Sequence, residues 1–138
     1  MMDWKECQDN ELVKEAKKDE NLISSLIKSS SRKFESNKRL KLDETTSGTK
    51  ISIIYDSLRE ILETIAIKKG FKIYNHECYC SFLDEICKEK SFSDKFNRFR
   101  KIRNSINYYG EDVSVEESKQ IIQEIIELRE ELINKFLK

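Results

Sequence analysis

The densest run of chemically capable side chains in this sequence is Phe99-Arg100-Lys101-Ile102-Arg103-Asn104-Ser105-Ile106-Asn107-Tyr108-Tyr109-Gly110. If Ile102 and Ile106 face a core, Arg103 stands at its edge with Asn107 one turn on. Asn104 and Tyr108 then form the adjacent i, i+4 pair. One helix end thus offers guanidinium, amide, hydroxyl and phenol groups together. Arginine suits phosphate because its planar fork bonds two oxygens at once. Asparagine and tyrosine can hydrogen-bond a base or ribose, and tyrosine can stack on a base. The candidate ligand-binding residues are therefore Arg100, Lys101, Arg103, Asn104, Asn107, Tyr108 and Tyr109. Arg103, Asn104 and Tyr108 are also the candidate catalytic residues. A purely structural role competes equally: Arg103 and Asn104 could tie the Gly110 turn to the acidic start of the next helix at Glu111 and Asp112.

A second constellation is His76-Glu77-Cys78-Tyr79-Cys80, with Asp84 and Cys87 further on. On one helix, His76, Cys80, Asp84 and Cys87 would share a side. Neighbours at i, i+4 can ligate zinc. Ligands strung along several turns cannot converge on one ion, however, and no Cys-x-x-Cys pair is present. No metal or cofactor is expected. The cysteines read as small apolar core residues beside a hydrogen-bonded histidine. His76 is the only histidine in the chain.

The elements that must position these groups read as helices. The chain has 138 residues, no proline and only three glycines, Gly48, Gly70 and Gly110. That length suits a single domain, residues 1–138. Scarce proline and glycine favour long helices with few turns. A first helix is expected from Trp4 to Ser30, with Trp4 packing it down. A polar, aperiodic loop follows over 31–50, where Arg32, Lys33, Lys38, Arg39 and Lys41 could offer a second anion contact. A second helix runs from Lys50 to Lys69, with Ile51, Ile54, Tyr55, Leu58, Ile61, Leu62 and Ile65 on one face. Ile53 and Ile67 fall outside that face, so burial on more than one side is expected. Gly70 ends it. A third helix is expected over 75–88, capped by Asn75, and a fourth over 93–109, stopped by Gly110. The last begins at the capping box Ser114-Val115-Glu116-Glu117 and carries a wide apolar stripe to Leu137, broad enough for two neighbours or a dimer seam. No strand pattern is evident.

Charged residues make up 38% of the chain and cancel to zero. No global pull toward nucleic acid or membrane follows. Locally, the stretch 88–103 is basic and 111–131 acidic. These are either two attracting helix faces or a phosphate-binding strip. No segment is long and apolar enough to span a membrane, and the N-terminus lacks an apolar signal region. A cytoplasmic protein with reduced cysteines is expected.

Arg103-Asn104-x-x-x-Tyr108-Tyr109-Gly110, followed by a polar turn and a Glu-rich helix, resembles the HEPN superfamily (higher eukaryote and prokaryote nucleotide-binding domain). Ile54-Tyr55-Asp56-Ser57-Leu58-Arg59-Glu60-Ile61-Leu62-Glu63, then Lys68-Lys69-Gly70 and His76-Glu77, resembles its second and third helices. The resemblance covers about Lys50 to Leu137. It implies an all-α bundle of about five helices, often a homodimer. Such proteins are often metal-independent ribonucleases, or partners of small nucleotidyltransferases in toxin–antitoxin pairs. It would also set Asp56, Arg59, Glu60 and Glu63 beside Arg103; an ordinary solvated face is the other reading of those four. Arg103 and Asn104 match the first two motif positions, while Tyr108 stands where the family has histidine. A tyrosine, with a pKa near 10, moves protons poorly near neutral pH. His76 could substitute from across a dimer, though nothing in the residues requires it. The expectation is a nucleotide- or RNA-binding module with a degenerate catalytic motif. A non-catalytic partner-binding bundle is the alternative.

Overall fold

The apolar face of the second predicted helix is the axis of the molecule, a computed structural model that describes all 138 residues. This helix, α3 (Ser47–Lys68), buries Ile51, Ile54, Tyr55, Leu58, Ile61, Leu62, Ile65 and Ala66. Each fully buried aliphatic side chain contributes roughly 1.5–3 kcal/mol. Ile67 is also buried and Ile53 half-buried, so the helix is covered on more than one side, as expected. Before it lie α1 (Trp4–Asp9), β1 (Val13–Glu15) and α2 (Glu20–Arg39). After it come β2 (Phe71–Ile73), α4 (Cys78–Ser81), α5 (Lys90–Tyr109) and α6 (Val115–Phe136). The helices α2, α5 and α6 pack around α3. The fold is a mostly helical bundle, and no helix is long and apolar enough to cross a membrane.

The expected first helix is two helices and a strand. Glu11 adopts a left-handed backbone (φ 57°), which stops α1. Val13, Lys14 and Glu15 then pair antiparallel with Ile73, Lys72 and Phe71. Three-residue strands are too short to show alternation, so this sheet left no sequence pattern. Asp19 restarts the chain as α2 by accepting the Leu22 amide at 3.0 Å.

The stretch 31–50 is not a loose loop. Residues up to Arg39 continue α2, and α3 begins at Ser47. The short link is pinned from inside. The buried Lys50 amine donates to the carbonyls of Asn37 and Leu40 at the end of α2, and the Asn37 amide donates back to the Lys50 carbonyl. Asp43 accepts the Thr45 and Thr46 amides at 2.9 and 3.0 Å.

The expected third helix is shorter than its stripe suggests. The Asn75 side chain accepts the Glu77 amide at 2.8 Å. The α4 turn then widens into a π-helical turn, Phe82–Ile86, and Lys88 (φ 59°) breaks the chain before α5. Gly110 (φ 63°) closes α5 in the left-handed conformation that glycine tolerates. The Ser114 hydroxyl accepts the Glu117 amide at 3.1 Å, so the predicted start of α6 holds.

Two cysteines depart from the reduced state expected of all four. Cys7 and Cys78 form a disulfide, because α1 folds back onto α4 and brings their Cα atoms to 6.0 Å. Trp4 does pack α1 down, edge-on to Phe71 with ring centroids 5.1 Å apart. Cys80 and Cys87 are free thiols.

Candidate functional site

Packing of α5 on α3 beside the segment 75–79 gathers charged and aromatic side chains along the seam, or interhelical groove, between the two helices. Beneath it Tyr55 is fully buried and stacked on Phe96 at 5.6 Å between centroids. The Tyr55 hydroxyl lies 3.0 Å from Nδ1 of His76. The Arg103 guanidinium covers the Tyr55 ring at 5.5 Å and the Tyr108 ring at 5.9 Å. Arg103 and His76, distant in sequence and on different elements, thus share one aromatic support in a single chain.

Three arginines gather here. Burial, then the charges of Arg59, Arg103 and Arg100, hold the His76 imidazole down to about 4. It is therefore neutral at pH 7, a proton acceptor rather than a cation. Burial pushes the Tyr55 phenol well above its ordinary value, against the pull of the same three arginines. Tyr55 therefore stays protonated and serves as a fixed hydrogen-bond partner. The two groups share one hydrogen bond: the tautomer with its proton on Nδ1 donates to the Tyr55 oxygen and leaves the Nε2 lone pair free, whereas the other accepts from the Tyr55 hydroxyl.

The guanidiniums are only loosely balanced. Arg103 is 3.9 Å from Asp56, and Arg100 is 3.9 Å from Glu77. Both separations exceed hydrogen-bond length. Arg100 donates to Asn97 at 2.9 Å, while the buried Nε atoms of Arg100 and Arg103 have no partner. Arg100 and Arg103 are thus near carboxylates without being hydrogen-bonded to them.

Not every residue singled out from the sequence reaches this groove. Arg100, Arg103 and Tyr108 do. Asn107 sits one turn beyond and accepts from Ser52 at 2.9 Å, tying the end of α5 to the start of α3. Asn104 is half-buried, while Lys101 and Tyr109 are exposed. The tie from Arg103 to Glu111 and Asp112 does not form; its carboxylate neighbour is Asp56. Of the four candidates on α3, Asp56 and Arg59 belong to the groove. Glu60 pairs instead with Lys33, and Glu63 with Lys72 at 2.7 Å.

The basic run divides by helical phase. Arg98 pairs with Glu124 across α6, which realises the attraction between opposite faces, while Arg100 and Arg103 turn toward α3. The basic residues of 31–50 lie mostly on α2, where Lys33 and Arg39 already have carboxylate partners. The zinc-like spacing dissolves as well. Cys78 is bonded to Cys7, and burial pushes the Cys80 and Cys87 thiols up to about 11.

Tyr55 was legible only as a core aromatic. His76 read as a satisfied histidine, or as a substitute base from across a dimer, and Arg59 as a solvated charge, or by the resemblance as a neighbour of Arg103. Their sequence signal is faint: Tyr55 and Arg59 are i, i+4 on the helix that the chain's most regular stripe marks as central. The stripe of α6, broad enough for two neighbours or a dimer seam, packs within the chain on α3 and α5. Ile121, Ile122, Ile125, Leu128 and Leu132 are buried, and no α6 residue is among the exposed large apolar side chains.

Compared with known protein families, characterised proteins and solved structures, the chain matches none of them. What it does must therefore be argued from the chemistry of this groove.

Proposed function

We propose that the groove between α3 and α5 binds the phosphate of RNA or a nucleotide, and that His76 gives it a proton acceptor. One observation carries this reading: Arg103 and the only histidine of the chain meet on Tyr55, while Arg103 and Arg100 stay 3.9 Å from the nearest carboxylates, Asp56 and Glu77. Phosphate is the ligand that planar guanidiniums fit. The HEPN resemblance of Arg103-Asn104 points the same way. In that light His76 supplies, from within the same chain, the imidazole that the motif lacks at Tyr108.

The chemistry open to such a site is transesterification of RNA. Once the bound phosphate offsets the arginine charges that hold the imidazole down, Nε2 of His76 takes the proton of a ribose 2′-hydroxyl, and the 2′-oxygen bonds to the adjacent phosphorus. The P–O5′ bond breaks, the leaving oxygen takes a proton from water, and the products are a 2′,3′-cyclic phosphate and a 5′-hydroxyl. Arg59, Arg100 and Arg103 offset the charge that builds on the phosphoryl oxygens. The partner-binding alternative has less to stand on, because the apolar face of α6 is already covered by the chain itself.

The test is RNA binding and cleavage in chelator, comparing wild type, Arg103→Ala and His76→Ala. Arg103→Ala should weaken binding by roughly tenfold or more, the worth of a charge-assisted bond. His76→Ala should keep binding and lose cleavage. Binding without cleavage by the wild-type protein would remove the enzymatic limb and leave the binding module. If Arg103→Ala binds RNA and nucleotides as wild type does, the reading fails.

A further inference from the structure

The exposed large apolar side chains of the whole molecule are Met1, Ile27, Tyr74, Tyr108 and Tyr109. Tyrosine therefore makes up most of the set, and one of the three, Tyr108, lies against Arg103. Tyr108 is 69% exposed, yet its hydroxyl lies 3.5 Å from Nη1 of Arg103. Arg103 thus lies near two rings, the buried Tyr55 at 5.5 Å and the exposed Tyr108 at 5.9 Å. Tyr74 leaves β2 two residues before His76 and is 59% exposed. An aromatic ring held against a phosphate-type guanidinium, with most of its surface free, has no packing role in the chain.

A ring in that position suits a base. Every nucleobase offers a π-face, and stacking on aromatic side chains is the usual way proteins hold bases without reading their sequence. A base inside a duplex has both faces covered by its neighbours, and only an unpaired one can be splayed onto a protein ring. The base joined to a phosphate at Arg103 is tethered beside Tyr108, so both contacts fall within one nucleotide.

We propose that Tyr108 is a base-stacking platform for the arginine groove, and that the ligand of this site is an unpaired nucleotide within a single strand rather than a duplex. The proposal rests on the phosphate-binding reading and adds the class of nucleic acid.

Three fluorescent probes of about eight nucleotides, within the usual footprint of such sites, separate the two claims. They are a single-stranded RNA, the same RNA annealed to its complement, and an abasic strand with the same phosphates and no bases. Each is titrated against wild type, Tyr108→Ala, Tyr108→Trp and Arg103→Ala. Since Tyr108 is exposed, its replacement leaves the core intact. Wild type should prefer the single strand to both other probes. Tyr108→Ala should bind the single strand roughly 5- to 100-fold more weakly, the loss of one stacked base. It should bind the abasic strand unchanged, and Tyr108→Trp should restore the affinity. Equal binding of single strand and duplex, or no loss with Tyr108→Ala, overturns the proposal while leaving phosphate binding in place. An abasic strand indifferent to Arg103→Ala, or no binding of any probe, removes the phosphate reading and this proposal with it.

Discussion

His76 is a residue whose chemistry is set wholly by its surroundings. A free imidazole titrates near 6.5, and here burial and then Arg59, Arg103 and Arg100 bring it down to about 4. Being the only histidine, it can be followed by NMR without assignment. Its midpoint in the free protein should lie near 4 and should rise when a phosphate ligand offsets the arginine charges; a free-protein midpoint near 6.5 would remove the arginine field from the argument. The sign for stability follows from the same shift. Between about 4 and 6.5 the unfolded chain binds a proton that the folded chain does not. The folded state is therefore penalised as pH falls through that window, and the penalty is complete below it. Above pH 6.5 both states are neutral and the contribution vanishes. Stability of wild type measured against His76→Gln should show this extra acid sensitivity in wild type alone; parallel pH curves would count against it.

At the scale of elements, the link between α2 and α3 shows how a buried charge can order a helix end. The last carbonyls of a helix lack partners within it. Two of those of α2, Asn37 and Leu40, receive the Lys50 amine, whose own pKa burial lowers. Lys50→Met keeps the stem and removes the donor. It should destabilise the protein by about 2 kcal/mol, the cost of buried acceptors left unpaired. Lys28→Met, at an exposed position, is the control and should stay within about 0.5 kcal/mol. Urea unfolding of the two variants decides the matter: equal midpoints would mean that the amine does not hold the link. This contact also explains why 31–50 looked like a loop. Its residues are polar, and the partners that order them lie on the next helix.

At the scale of the molecule, the disulfide between Cys7 and Cys78 ties the N-terminal helix to the segment that carries His76. It joins residues 71 positions apart, and closing a loop of that length limits the unfolded chain by an amount worth about 4 kcal/mol. A dithiol reductant should lower the melting temperature of wild type and leave a Cys7→Ser/Cys78→Ser variant unchanged. Alkylation of the unfolded, non-reduced protein should find only Cys80 and Cys87 reactive. Four reactive thiols would show the pair to be reduced.

The sequence by itself determined what short-range physics controls. The apolar stripe of α3, the glycine stops at Gly70 and Gly110 and the Ser114 cap all depend on residues within a turn or two of each other, and they stand where periodicity puts them. The arginines and Tyr108 were legible for the same reason, as one polar helix end. Tertiary structure decided what depends on contacts between distant segments: the β1–β2 pairing, the Cys7–Cys78 bond, the division of the basic run between α6 and α3, and above all the meeting of His76 with Arg103 on Tyr55. Hydrophobic periodicity says that a face is buried and is silent about what it is buried against. A histidine that reads as structural in the sequence became the centre of the candidate site only once α3 and α5 had packed around it.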